Sequence, residues 1–170
     1  MNTMKKKAQR GFSLFEVLVA LVLLAIGMLG IARMLMIAHK STSSSHIRQQ
    51  AIQSAYNIID RIHANRQEAI NGGYNASNLV ANGVPSAPSA PASNCNTSIC
   101  TASDLAAYDT WNWLTSDVSQ LPNGCGSIST TASGINTLVT VTVQWDDSPA
   151  QKALGAINPT PTQLIIKSQL

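Results

Sequence analysis

Lys5-Lys6-Lys7-Ala8-Gln9-Arg10-Gly11-Phe12-Ser13-Leu14-Phe15-Glu16 opens the decisive stretch of this chain, and a nearly unbroken apolar run carries it on to Ala32. Residues 12–32 hold only two polar side chains, Ser13 and Glu16. At about 1.5 Å of rise per residue, such a helix matches the roughly 30 Å hydrocarbon core of a bilayer. Four cations precede the run (Lys5, Lys6, Lys7, Arg10) and one, Arg33, follows it. That asymmetry keeps the N-terminus cytoplasmic and exports what lies beyond the helix. No small-x-small cleavage pattern follows the run, so it reads as a retained anchor and not as a secretory signal.

Glu16 separates this segment from a plain anchor. A carboxylate in a spanning helix costs about 2.5–3.5 kcal/mol at mid-membrane and less near the interface. A cation reaching it inside an assembly would offset that cost. If the chain were cut between Gly11 and Phe12, a free α-amine would appear on Phe12, four residues from Glu16. A helix cannot easily satisfy its own Glu16 with that amine, whereas a neighbouring helix shifted along its axis can.

The run Gly11-Phe12-Ser13-Leu14-Phe15-Glu16-Val17-Leu18-Val19-Ala20-Leu21 resembles the class III signal of type IV prepilins and pseudopilins. The resemblance implies cleavage after Gly11 by a membrane-embedded prepilin peptidase and N-methylation of Phe12. It also implies that Glu16 recruits the subunit into a filament. These roles come from the family likeness; spacing alone establishes an anchored helix with a costly acid.

The chain has 170 residues and a formal charge of +3. Four of its eleven cations lie before Gly11, so the remainder carries seven cations against eight carboxylates, a net of −1. A basic balance that vanishes with the leader is a topology signal and not a nucleic-acid footprint. Composition is 45% hydrophobic but 5% aromatic, with the apolar excess in the anchor, so the exported core is small. Of the three cysteines, Cys95 and Cys100 would close a short loop and are the expected pair, with Cys100–Cys125 as the alternative. Ligands at spacings suited to a metal are not visible, and no cofactor is expected.

Helical periodicity continues past the anchor. Ile47, Ala51, Ala55, Ile58 and Ile62 recur at steps of four and three, forming one apolar stripe opposite Arg48, Gln49, Gln53, Asn57 and Arg61. Asn71-Gly72-Gly73 is the expected stop. A continuous helix over residues 13–70 would extend roughly 85 Å. Gly27, Gly30 and the run Ser41-Thr42-Ser43-Ser44-Ser45 are its weak points, or, for the glycines, sites of close helix packing. Many pilins carry a proline after the first part of the anchor; Arg33 stands there, and a snorkelling cation at the far membrane face is its simplest reading.

Residues 71–94 are turn-rich, centred on Pro85-Ser86-Ala87-Pro88-Ser89-Ala90-Pro91-Ala92-Ser93, and read as an exposed loop. Asn75-Ala76-Ser77 and Asn96-Thr97-Ser98 match the N-glycosylation pattern, which means little in a bacterial cell. A second helix is expected from Ser103, as N-cap, to about Ser119. Tyr108, Trp111, Leu114, Val118 and Leu121 form its apolar side. Trp113 falls off that side and is the expected partner contact. Leu121-Pro122-Asn123-Gly124 reads as a turn.

Beyond this turn the period changes to two. Val139, Val141, Val143 and Trp145 alternate with Thr140, Thr142 and Gln144, marking a half-buried antiparallel strand. Residues 127–131 and 163–169 are weaker strands, with a hairpin around Gly134-Ile135-Asn136. The expected class is α+β: a type IV pilin-like fold whose long N-terminal helix, transmembrane in its first half, packs on a small antiparallel sheet with one extra helix. The expected parts are a leader (1–11), a membrane and assembly helix (12–33), the periplasmic half of the stalk (34–70) and a head (71–170) holding the loop at 84–94.

No catalytic set is visible. His39, His46 and His63 read as solvated helix positions, and Asp146-Asp147 as a solvated strand-ending turn lacking the oxygen cluster of a calcium site. Phosphate loops, nucleophile elbows and zinc pairs are missing from the sequence. An enzyme is therefore not expected.

Inner segments narrow the resemblance. Asp60-Arg61-Ile62-His63-Ala64-Asn65-Arg66, Leu105-Ala106-Ala107-Tyr108-Asp109-Thr110-Trp111-Asn112-Trp113, Leu121-Pro122-Asn123-Gly124 and Val141-Thr142-Val143-Gln144-Trp145-Asp146-Asp147 occur in order and resemble the PilV family of minor pilins. That likeness implies a structural subunit priming pilus assembly in a tip complex, in support of twitching motility, adhesion or DNA uptake. The implied partners are prepilin peptidase, the inner-membrane assembly platform, other minor pilins, the major pilin and a tip adhesin. The implied location is the bacterial inner membrane, then the pilus surface. A minor pseudopilin of type II secretion is the alternative. Direct nucleic-acid binding is expected to be weak, because the exported cations are few and scattered.

Overall fold

The structure is a computed structural model that describes residues 13–80, 85–133 and 136–170. The leader, the Gly11–Phe12 bond, the Phe12 methylation position, Val84 and Gly134-Ile135 of the expected hairpin lie outside the described residues. Helix α1 spans Leu14–Ala64, and the chain divides into two units at the His39–Lys40 junction, each holding part of α1.

In the first unit, α1 runs unbroken through Gly27 and Gly30, and its membrane-length apolar window has a mean hydropathy of 2.7 with no residue buried. Large apolar side chains from Leu14 to Met36 stand exposed on every side. A helix apolar all round belongs in a membrane or a protein interior.

The second unit builds a core of its own. The remainder of α1 is followed by α2 (Arg66–Ile70), β1 (Ala76–Ser77), α3 (Ala102–Asn112), β2 (Cys125–Ser133), β3 (Asn136–Trp145), α4 (Ser148–Ala153) and β4 (Thr162–Gln169). The four strands form one antiparallel sheet in the order β1-β2-β3-β4. Ala51, Ala55, Ile58 and Ile62 are buried in the same core as Ile128, Val139, Val141, Val143 and Trp145. The three-four stripe of the helix and the two-residue alternation of β3 meet here, each presenting its apolar set to the other.

Several expectations need correction. The helix does not continue to Ile70. It ends at Ala64, because Asn65 leaves helical geometry (φ −116°, ψ 48°) and its side-chain amide donates to Ala102 O at 2.7 Å. The expected stop lies at the end of α2: Gly72 adopts φ +87°, and a Cβ on Gly73 would strike the Glu68 side chain. The second helix is capped two residues before Ser103. Thr101 Oγ1 accepts from Asp104 N at 3.2 Å, while Thr101 N donates to Asp104 Oδ2 at 3.4 Å. The loop at 71–94 also contains β1, pinned to β2 by Asn75 Oδ1, which accepts from Thr130 N at 2.8 Å, and by Asn78 Oδ1, which accepts from Gly126 N at 2.7 Å.

Trp113 is the largest correction. It is fully buried and is not a surface for a partner, while Trp111 is only half-buried. Helix α3 gives way at Trp113–Asp117 to a π-turn and then to a 3₁₀ turn at Val118–Gln120. Trp113 lies in ordinary helical phase with the buried Ala106, Asp109 and Thr110, so the buried face of α3 is marked by small and polar residues and not by the large apolar ones. The Trp113 indole N–H donates to both Ser54 Oγ (2.9 Å) and Ser54 O (3.0 Å) on α1. Across from it, Gly126 leaves room that a Cβ would fill by striking the Trp113 ring.

The Asp146–Asp147 pair follows the end of β3 and stays partly exposed, as expected, but both carboxylates are also hydrogen-bonded. Asp146 Oδ1 accepts from Ser148 N (2.8 Å) and from the Ser148 hydroxyl, starting α4, and Asp147 Oδ2 accepts from the Ser44 hydroxyl at 2.7 Å. Both carboxylates thus organise the chain after β3.

Candidate assembly site

Glu16 sits in the first turn of α1, its N–H donating to Ser13 O at 3.0 Å. A negative charge there interacts favourably with the helix dipole, by roughly 0.3–1 kcal/mol at an exposed terminus. That is well short of the ~2.5–3.5 kcal/mol cost of a carboxylate deep in a bilayer. An added Cβ on Gly27 or Gly30 would meet nothing within 4 Å, so both glycines leave the helix surface open to close approach by another helix. The apolar side chains, the acid at the start of the run and the two open glycine positions all lie on the exposed part of α1.

The polar centre of the second unit has a different purpose. Arg61 Nη1 lies 3.3 Å from Asp109 Oδ1 and donates to Asn112 Oδ1 at 3.1 Å, while its Nε donates to Asn57 Oδ1 at 2.9 Å. The Tyr74 hydroxyl donates to Asp109 Oδ2 at 3.0 Å. Burial, more than the Asp109 charge, pushes the Tyr74 phenol above its ordinary range, and contacts with Asn65 and Arg61 oppose the shift. A phenol held protonated in a closed network is a tie between α1, α3 and the segment after α2, not a proton-transfer group. The sequence did not point to this centre, because its hydrogen-bonded partners lie up to 51 positions apart.

His39 and His46 are exposed, and His63, also exposed, has Nε2 2.9 Å from the Ser168 hydroxyl. Cys95 and Cys100 form a disulfide with a Cα–Cα distance of 5.5 Å, and Cys125 is a buried free thiol. Among the described residues, no three His, Cys, Asp or Glu side chains stand together as metal ligands.

Residues 6–32 match the prokaryotic N-terminal methylation motif, and residues 34–111 match the family described as type IV pilin Tt1218. The chain is similar to type IV pilins. No curated protein and no solved structure matches it. The two matches adjoin at the end of the apolar run and cover the helix through Trp111, while β2, β3 and β4 lie beyond them. The long apolar helix, the small four-stranded antiparallel sheet and the extra helix are consistent with a type IV pilin fold. The matches support a pilin role, with anchoring of the apolar helix in a membrane. The matched family is a structural one, not an enzymatic one.

Proposed function

We propose that this chain is a minor pilin of the PilV type, cut after Gly11 by prepilin peptidase, N-methylated on Phe12 and assembled with other minor pilins into the complex that starts a type IV pilus. The observation that carries this reading is the pairing of an exposed apolar stretch, Leu14 to Met36 of α1, with a single acid in its first turn, largely inside a segment matching the methylation motif. Glu16 receives the new α-amine of a neighbouring subunit, and the energy gap left by the helix dipole is the reason it needs one. Before assembly the precursor stays in the inner membrane with its head in the periplasm; afterwards it meets the major pilin and a tip adhesin, in support of twitching motility, adhesion or DNA uptake.

The test is direct. Protein recovered from membranes or sheared filaments should begin at N-methylated Phe12. Glu16→Ala should be inserted and cut normally, yet enter filaments at least tenfold less often. An intact Met1 in filaments, or equal incorporation of the variant, defeats the reading. Co-purification with secretion-system pseudopilins instead of pilins would transfer the same chemistry to a type II secretion pseudopilin.

A further inference from the structure

The two edges of the sheet are finished differently. On one side β1 is two residues long, and side chains take over where its backbone stops. Asn75 Oδ1 accepts from Thr130 N and Asn78 Oδ1 accepts from Gly126 N, so these amides of β2 are occupied. The opposite edge is β4. It runs for eight residues without a proline, and its pairing with β3 passes from Trp145–Thr162 to Leu138–Gln169 without a bulge. Prolines, bulges and short length are the usual ways to blunt an edge whose unpaired N–H and C=O groups would take up another strand. Which groups of β4 point outward follows from one bond. Leu170 N donates to Thr137 O at 2.9 Å, extending the ladder one pair past Leu138–Gln169. Bonded and non-bonded pairs alternate along an antiparallel ladder. Ser168, Ile166, Leu164 and Thr162 therefore turn their backbone groups to β3, and Gln169, Lys167, Ile165 and Gln163 turn theirs away. Among the described residues, nothing hydrogen-bonds to the outward amides and carbonyls. The side chains agree: the outward set is exposed, Ile165 by 55%, while Leu164 and Ile166 lie against the core yet are only half-buried.

We propose that β4 is a docking edge for an extended segment of another protein, which adds to the sheet as an antiparallel strand. The incoming strand exchanges backbone hydrogen bonds with Gln163, Ile165, Lys167 and Gln169. It lays apolar side chains beside Leu164 and Ile166, completing their burial, and sets a carboxylate opposite Lys167. In docking of this kind the main-chain bonds supply affinity, and the alternate side chains supply specificity. Lys167 is the only charged residue of β4, and it selects the occupant. A second copy of this chain is the wrong one, because its own β4 offers no carboxylate to answer that lysine.

The probe is a soluble peptide in which valine alternates with threonine and one central threonine is replaced by glutamate; a second peptide carries lysine there. Full-length protein in detergent is followed by hydrogen exchange, amide by amide, using NMR. Without peptide, the amides of Leu164, Ile166 and Ser168 should be protected, and those of Gln163, Ile165, Lys167 and Gln169 should exchange freely. The glutamate peptide should slow the outward set by about tenfold or more and leave the inward set as it was. The lysine peptide should act far more weakly, and Lys167→Glu should reverse the preference. Ile165→Pro removes an outward N–H and spares the ladder to β3, so that variant should fold and lose the response. No slowing with either peptide, equal slowing with both, or an unchanged preference in Lys167→Glu would overturn the inference. Slowing of the same outward amides in peptide-free protein as its concentration rises would also overturn it, by assigning the edge to a second copy. This docking needs neither cleavage after Gly11 nor a filament, so its outcome is separate from that of the pilin reading above.

Discussion

The two units spend the same kind of residue in opposite ways. In the first, every large apolar side chain from Leu14 to Met36 is exposed. In the second, apolar side chains of similar size at Ile58, Ile62, Val141 and Val143 are wholly buried. Full burial of such a side chain is worth about 1.5–3 kcal/mol, so the second unit holds itself together while the first awaits an outside solvent or partner. The stability that apolar burial gives therefore resides in the second unit.

The largest effect that would break this contrast is at Trp113. Trp113→Ala empties a fully buried site and strands the Ser54 hydroxyl and carbonyl that its indole serves. The expected loss is about 3–5 kcal/mol of unfolding free energy. Urea unfolding of the full-length protein in detergent, followed by circular dichroism, measures it. Leu24→Ala removes a comparable apolar group from the first unit and should change the same midpoint by less than about 0.5 kcal/mol. Similar losses in the two variants would mean that the anchor supports the head fold, contrary to the division drawn here.

The contrast also explains what could be read in advance. Periodicity exposes elements whose apolar faces follow a fixed step, so the α1 stripe, the alternation of β3 and the membrane-length run were legible. Trp113 was not, because it shares its buried face with Ala106, Asp109 and Thr110, small and polar residues that leave no apolar stripe to read. Asn65 ended α1 through a bond to Ala102, 37 positions away, which local propensity cannot show.

A smaller effect should come from the tie between α1 and α3. Asp109→Ala removes the carboxylate that Arg61 and Tyr74 share, leaving Arg61 with its two asparagine contacts. Because Arg61 retains partial solvent access, the pair is worth less than a fully buried one, and about 1–2 kcal/mol is expected. Tyr74→Phe should cost less than Asp109→Ala in the same unfolding assay, and the double variant should fall short of the sum because the groups share one network. Strict additivity would show that the network does not act as a unit.

The smallest effect is a pH dependence in which two carboxylates of the second unit act in opposite directions. Asp146 is held below its ordinary value, chiefly by the Ser148 hydroxyl and then by the Ser148 backbone N–H. Its contribution is fully present above the usual carboxylate value of 3.8 and is lost as pH falls through the lower folded value. Asp117 is raised by burial, only partly offset by the Arg61 charge, and its Oδ2 is buried without a hydrogen-bond partner among the described residues. The folded state therefore resists ionising Asp117, and stability falls as pH rises from 3.8 through the raised folded value. Asp117→Asn should raise stability at neutral pH and remove that decline, whereas Asp146→Asn should lower it at neutral pH and remove the loss in acid. Unfolding midpoints across the carboxylate range separate the two, and a neutral-pH midpoint lowered by Asp117→Asn would mean that the ionised acid supports the fold.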